Sequence, residues 1–364
     1  MIGIRVLHIS SVLPPVMSGV GDYASLLAAK LNEISGGRIH NLLLATNEKR
    51  AIQSLIADES PIYLDWPPTS KKLTAAIQNI KPDVLLIHYV GYGFHKRGIP
   101  FWLLRSIYQV RTGYPKIYIG VMFHELYATG RFWQSSFWLS PLQRLIALLL
   151  AKLSDFWITS REGSSNWICR YAANKPHAVL PIFSNVGESV HYHPGRLSAA
   201  VVFGSPGLRE GTYQKAGASL FDWAKDNDVE LHDVGAPLLN AELSNLLKIH
   251  EVIQHGELAA NDVSVLLNRM KYGIVRYPLS FVAKSGVFAA FCAHGVLPIL
   301  LTDQYFLADG LVPNKHFLTN QALIMEFNAQ LSGQFAWEWY QGHSINHHAE
   351  VFLSMVYNLN YIGP

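Results

Sequence analysis

The sequence predicts an α/β protein of two tandem Rossmann-like domains, and three observations carry that reading. Short β-branched runs alternate with helical patterns almost from end to end, the mark of parallel sheets covered by helices. The chain has 364 residues, too many for one ordinary core. The alternation loosens once, through residues 184–188 and 193–195, where Gly and Pro gather and a linker is expected. The expected organisation is a first domain over 1–188, a second over 189–344 and a tail helix over 345–364.

Each element has its own warrant. Residues 4–9 read as a buried strand, and 19–32 as a helix because Tyr23, Leu26, Leu27 and Leu31 recur at three-to-four spacing. Further strands are expected at 41–45, 84–88, 117–123, 156–159 and 177–181, with helices at 70–79, 100–110, 141–153 and 161–172. The second series has strands at 199–204, 230–234, 273–276 and 296–301, and helices at 214–225, 241–249, 260–270 and 285–293. Phe352, Met355, Val356 and Leu359 give the tail a helical apolar stripe.

Composition narrows the function classes. Half the residues are hydrophobic, 12% are aromatic and 15% are charged, which supports packed cores and excludes extensive disorder. The 29 Lys and Arg against 26 Asp and Glu give +3 with no evident basic stripe, so small-molecule partners are expected rather than nucleic acid. Two cysteines, Cys169 and Cys292, read as buried thiols of a reducing compartment rather than a disulfide. The first ten residues lack the apolar core of a signal peptide. The apolar run 145–150 falls far short of the roughly 20 residues of a membrane span. A cytoplasmic chain is expected, with a membrane-surface contact left open.

In open parallel sheets, ligands bind beyond the carboxyl ends of strands, so the strand-to-helix loops are where chemistry is sought. The first loop carries Gly19, Val20, Gly21 and Asp22 ahead of a helix. Its glycines let backbone approach a bulky ligand, and the helix offers amides to an anion; the plainer reading is a tight turn. It is not the dinucleotide fingerprint, which needs a third glycine. His124 and Glu125 end a strand, where an imidazole can bond a sugar hydroxyl, or can simply be satisfied in the core. His88 ends another strand, and Tyr89, Tyr92, His95 and Lys96 near it suit either an acceptor site or a plain loop. In the second half, Arg209 and Lys215 are the cations after the strand 199–204, and a solvated loop charge is the alternative. Lys284, Ser285 and Gly286 bring a lysine, a hydroxyl and free amides to a helix start, an anion site unless the helix is merely capped.

The order of these features, a Pro-rich turn, then Gly-Val-Gly-Asp-Tyr-Ala, then His124-Glu125, then the segment 272–298, resembles the retaining family-four group of GT-B nucleotide-sugar glycosyltransferases. The resemblance is diffuse over nearly the whole chain. It implies two Rossmann-like domains around a cleft, with the tail helix returning to the first. It implies transfer of a sugar from a nucleotide-diphosphate donor to an acceptor hydroxyl, with retention and without metal or other cofactor. Gly19, Val20, Gly21, Asp22 and Glu125 would then contact substrates, with His124 at the sugar. Arg209, Lys215 and Lys284, helped by Ser285 and Gly286, would hold the diphosphate. The acceptor, whether glycan, lipid or small molecule, is not implied.

One departure stands out. The group usually has two glutamates seven residues apart in the segment where this chain has no acid between Lys271 and Leu301. That keeps two alternatives open, a catalytically silent relative that binds a glycan or a partner enzyme, and a GT-B nucleotide-sugar epimerase. His343 with His347, and His191 with His193, lack cysteine or carboxylate at ligand spacing, so no zinc site is expected. Phe132, Trp133, Phe137 and Trp138 with Arg131 and Arg144 suit an interfacial anchor or ordinary packing.

Overall fold

The computed structural model describes residues 3–16, 18–47, 61–130, 133, 135–323 and 333–360. The chain divides into two compact units, Met1–Leu180 with Ile345–Pro364, and Pro181–Ser344. The division falls ahead of the expected 188/189 boundary for a local reason. Ile182 N donates to Ala283 O at 2.9 Å, and Tyr340 Oη donates to Glu188 at 2.6 Å, so 182–188 already belong to the second unit.

The first unit is a seven-stranded parallel sheet in the order β3-β2-β1-β4-β5-β6-β7. Its strands are β1 (Ile4–Ser10), β2 (Ile39–Ala45), β3 (Ile62–Tyr63), β4 (Val84–Val90), β5 (Tyr118–Glu125), β6 (Phe156–Thr159) and β7 (His177–Val179). Between them lie α1 (Gly19–Ile34), α2 (Ser70–Ile80), α3 (Gly91–Phe94), α4 (Phe101–Gly113), α5 (Ser135–Leu153) and α6 (Glu162–Ala172). Alternation along the strands sorts the two faces. Leu7, Ile9, Leu85, Ile87, Ile119 and Val121 form one core with Leu103, Ile107 and Ile146 of α4 and α5. The opposite face of β1 is more polar, with His8 and Ser10 fully buried beside Val6. Helix α5 begins at Ser135, ahead of the expected 141, because Pro141 sits inside the first turns rather than at the start. Pro141 therefore lies inside the helix, where its missing N–H gives up the donation that would otherwise reach residue 137.

The second unit repeats the plan as a six-stranded parallel sheet, order β10-β9-β8-β11-β12-β13. Its strands are β8 (Leu197–Phe203), β9 (Glu230–Val234), β10 (Ile253–Gln254), β11 (Met270–Val275), β12 (Leu297–Leu300) and β13 (Leu318–Thr319). Its helices are α7 (Pro206–Ala216), α8 (Ala218–Asp226), α9 (Ala241–Ile249), α10 (Ala260–Leu267), α11 (Gly286–Ala293) and α12 (Gln334–Gln341). One helix was expected at 214–225; Gly217, with φ 61°, splits it into α7 and α8. The two-residue strands β3, β10 and β13 escape the sequence pattern because two residues carry no period.

The tail is α13 (Ile345–Asn360), which packs against α1 within the first unit. Phe352 and Val356 are buried and Met355 is half-buried, while the Leu359 side chain lies outside the described residues. Phe352 meets Phe156 of β6 edge-to-face at 6.4 Å. Both thiols are free; Cys292 is buried as expected, but Cys169 is only half-buried, 3.5 Å from His177 Nε2.

Candidate functional site

In the first sheet the strand order reverses between β1 and β4, the position where open α/β sheets bind ligands. Each of these strands carries a buried histidine. His8 Nε2 lies 2.8 Å from Asn41 Oδ1, and His8 Nδ1 lies 3.1 Å from His88 Nε2. The Asn41 amide is oriented by its own donations to Ala28 O at 3.2 Å and Asn32 Oδ1 at 2.8 Å. Its Oδ1 must therefore accept, which assigns the tautomers: His8 Nε2 donates to Asn41, and His88 Nε2 donates to His8 Nδ1. His88 Nδ1 is left as a buried lone pair with no hydrogen-bond partner among the described residues.

Such a relay resists protonation, because a proton on His8 Nδ1 would face the N–H of His88. Burial pushes His8 down to about 4, against the hydrogen bond to Asn41. His88 is held well below the usual imidazole range by burial first, then by His8 and His124.

His124 extends this row. Its ring stacks on His88 at 5.8 Å and receives the edge of Tyr23 at 4.8 Å. Tyr23 Oη shares a 2.7 Å hydrogen bond with His348 Nδ1 of α13, so the tail helix closes over the cluster. The pairing of β4 and β5 slips here, with Tyr89 opposite Phe123 and Val90 opposite Glu125. His124 is the extra residue of a bulge, a device that re-aims a side chain at a strand end. Glu125 follows, half-buried.

The glycine loop resolves into two different roles. Ser18 caps α1 by accepting from Gly21 N at 3.4 Å. A Cβ on Gly21 would lie 2.6 Å from Val12 O and 3.3 Å from Leu13 Cα, so its space is filled by the chain's own backbone. A Cβ on Gly19 would meet nothing within 4 Å. The close approach assigned to Gly21 on sequence grounds is thus an internal one, and open space lies at Gly19, with Val20 and Asp22 half-buried beside it. Gly21→Ala is expected to lower the melting temperature by several degrees, whereas Gly19→Ala leaves it within about a degree. Thermal denaturation of the two variants checks this.

In the second unit the expected loop arginine is a helical and buried one. Pro206 starts α7 directly after β8, which places Arg209 in its first turns rather than in a loop. The guanidinium, 1% exposed, pairs with Asp233 of β9 and donates to Ala236 O, and to Gly204 O at 3.0 Å. Tyr213 Oη donates to the other Asp233 oxygen at 3.0 Å. Arg209 therefore ties together the ends of β8 and β9. Gly235, with φ 146°, is required there, because a Cβ would land on Gly204 O and within 2.8 Å of Arg209 Nε. Lys215 is exposed and bonds both oxygens of Asp303, at 2.7 and 2.9 Å.

Lys284 ends a 3-10 turn, Leu279–Lys284, and its Nζ lies 5.2 Å from the centre of the Phe281 ring. Ser285 is buried and caps α11, accepting from Phe288 N at 3.3 Å; Gly286 is the first helical residue. Lysine, hydroxyl and helix start thus come together as the sequence suggests, with the hydroxyl also serving as cap. Arg276, an exposed cation one residue beyond β11, is not among the site residues expected from the sequence. Its amide donates to Thr212 Oγ1 of α7 at 3.0 Å, and its guanidinium lies beside Gly211. This puts Arg276 at the β8–β11 reversal of the second sheet. A charge directly after an apolar strand was the signal available for it.

Among the described residues no group of three or more His, Cys, Asp or Glu could hold a metal ion. His343 precedes α13 and is buried, while His347 is on the helix and only half-buried, so the two do not lie on one helix. Phe132 and Arg131 lie outside the described residues.

No protein-family model matches the sequence, and no curated protein matches it. Solved structures do match. A lipopolysaccharide outer core galactosyltransferase superposes with TM-score 0.61 at 11% identity, covering 98% of this chain and 99% of that one. The pneumococcal O-GlcNAc transferase solved with UDP and GlcNAc gives 0.60 at 9% identity, covering 98% and 99%. A putative UDP-N-acetylglucosamine 2-epimerase from Listeria monocytogenes gives 0.58 at 12% identity, covering 100% and 98%. With two parallel Rossmann-like sheets and a last helix that returns to the first unit, the chain has the GT-B fold shared by these glycosyltransferases and this epimerase.

Proposed function

We propose that the protein is a glycosyltransferase that moves a sugar from a nucleotide-diphosphate donor to an acceptor hydroxyl, with retention and without metal. The observation that supports it most is the carboxyl edge of the second sheet. Arg276 and Lys284 flank the strand-to-helix segment that opens α11, and that segment contains no acid. A nucleoside diphosphate departs with at least two negative charges, and cations with free helix amides stabilise that growing charge. In the reaction the anomeric carbon–phosphate oxygen bond breaks as the bond to the acceptor oxygen forms. The departing phosphate oxygen takes the acceptor's proton. In the first unit, His124 bonds a sugar hydroxyl, and Gly19, Val20, Asp22 and Glu125 line the substrate site. Arg209 acts in this reading by holding the ends of β8 and β9 in place.

The epimerase is the second reading, favoured by the likeness to the Listeria protein. It needs acid–base groups at the sugar, and the α11 segment supplies no carboxylate. Turnover with a panel of nucleotide sugars separates the two: transfer or hydrolysis releases the nucleotide, epimerisation does not. A silent relative gives neither.

Lys284→Ala is expected to weaken nucleoside diphosphate binding by about ten- to a hundredfold, since a charge-assisted bond contributes about 1.5–3 kcal/mol. Monophosphate binding should change less. Calorimetry with both ligands tests it, and equal small losses would remove Lys284 from the site.

A further inference from the structure

We infer that the outer face of α5, with the adjoining edge of α4 and the 92–97 loop, docks on an anionic lipid surface. The inference concerns a face of the first unit and does not rest on the transferase reading.

Helix α5 has two faces of different kinds. Gln143, Ile146, Ala147, Leu150 and Ala151 are buried against the unit's core. On the other side Trp138, Leu142 and Leu145 recur at four- and three-residue spacing, all exposed, and Leu148 and Leu149 continue the strip half-buried. Trp138 is 70% exposed and packs edge-to-face with exposed Phe137 at 5.5 Å; Trp133, just ahead of the helix, is 62% exposed. Large side chains that could have been buried instead form one contiguous outward strip, which scattered surface residues do not.

The charges on α5 and on the neighbouring α4 are all of one sign. In the whole chain 29 Lys and Arg face 26 Asp and Glu, and along the sequence they look evenly mixed. Yet residues 91–153 hold eight of the cations and one of the acids, Glu125, leaving an acidic excess elsewhere. Neither α4 nor α5 contains an acid. Arg144 and Lys152 are exposed on α5, and Arg105 is exposed on the neighbouring α4 beside exposed Phe101. Gln143 anchors the cationic loop to α5, donating to Arg97 O at 3.0 Å and to Tyr92 Oη at 3.2 Å, so Lys96 and Arg97 sit next to the helix.

An aromatic and leucine strip bordered by cations is the pattern of a helix lying in the lipid interface. Trp and Phe seat at headgroup depth while Lys and Arg meet anionic headgroups. The alternatives fit less well. A second copy would set this cationic face against itself, and nucleic acid has no place for an apolar strip of this kind. No helix among the described residues is long and apolar enough to cross a membrane, so the contact would be peripheral.

The test is flotation of the full chain with phosphatidylcholine vesicles, with and without an equal part of phosphatidylglycerol. The chain should float with the anionic vesicles, with a blue shift of tryptophan emission, and salt should weaken the binding. Trp138→Ser with Leu142→Ser, both exposed, should lower vesicle affinity at least about tenfold, as should Arg144→Gln with Lys152→Gln. Circular dichroism and melting temperature should remain unchanged, which separates lost docking from lost folding. Several outcomes would overturn the inference: no flotation, equal flotation of the variants, a dimer dispersed by the Trp138/Leu142 variant, or duplex DNA displacing the vesicles.

Discussion

Arg209→Met is expected to destabilise the second unit by about 3–5 kcal/mol, the cost of leaving a buried carboxylate without its cation. The side chain it removes is almost fully buried and pairs with Asp233, itself buried at the end of β9. The Tyr213 hydroxyl would remain on Asp233, but a neutral donor does not balance the charge. The same substitution also releases Gly204 O and Ala236 O, which lie on the two strand-end turns that Arg209 holds together. Adding Asp233→Asn should recover at least half of the loss, since the uncompensated charge is then gone. Urea unfolding of the single and double variants measures both values. A single variant of native stability with weakened nucleotide binding would instead make Arg209 a ligand cation.

Stability should also fall steeply as pH is lowered from 6.5 to 4. His8 in the folded chain titrates at about 4, below the ordinary imidazole value of 6.5, and His88 lies well below it. Between those values the unfolded chain binds protons that the folded chain refuses, so acidification favours unfolding. The contribution is fully present above 6.5 and is lost as pH falls toward the folded pKa. For His8 alone the loss is on the order of 3 kcal/mol, and His88 adds to it in the same direction. The groups around the pair are Asn41 on β2, Asn32 and Tyr23 on α1, His124 on β5 and His348 on α13, none of them anionic in the ordinary range. No carboxylate among these neighbours rescues a protonated ring. Melting temperatures from pH 7.5 to 4.5 test the effect, and a His8→Gln, His88→Gln variant should show a flatter profile. An equal slope in that variant would assign the acid sensitivity elsewhere.

The fold class was legible in the sequence because a buried parallel strand is a short run of apolar, mostly β-branched residues, and each helix is an apolar stripe of period near 3.6. Ile4–Ser10 and Val84–Val90 show it within a residue or two. The start of α11 was legible too, since a lysine, a capping serine and a glycine ahead of an apolar run are all local signals. Arg209, Gly21 and the histidine row were not. Whether a guanidinium meets an anion in solution or Asp233 in the interior depends on α7 beginning at Pro206 and on β9 lying beside β8. Gly21 reads the same whether a ligand or Val12 O fills the space beside it. His8, His88, His124 and His348 lie far apart in the chain and meet only because β1, β4 and β5 are neighbours and α13 returns to cover α1. The sequence by itself determined which elements form, because helix and strand periods are local properties of side-chain burial. Only the tertiary structure decided what each polar side chain faces, because a hydrogen bond or ion pair depends on three-dimensional neighbours that sequence spacing does not encode.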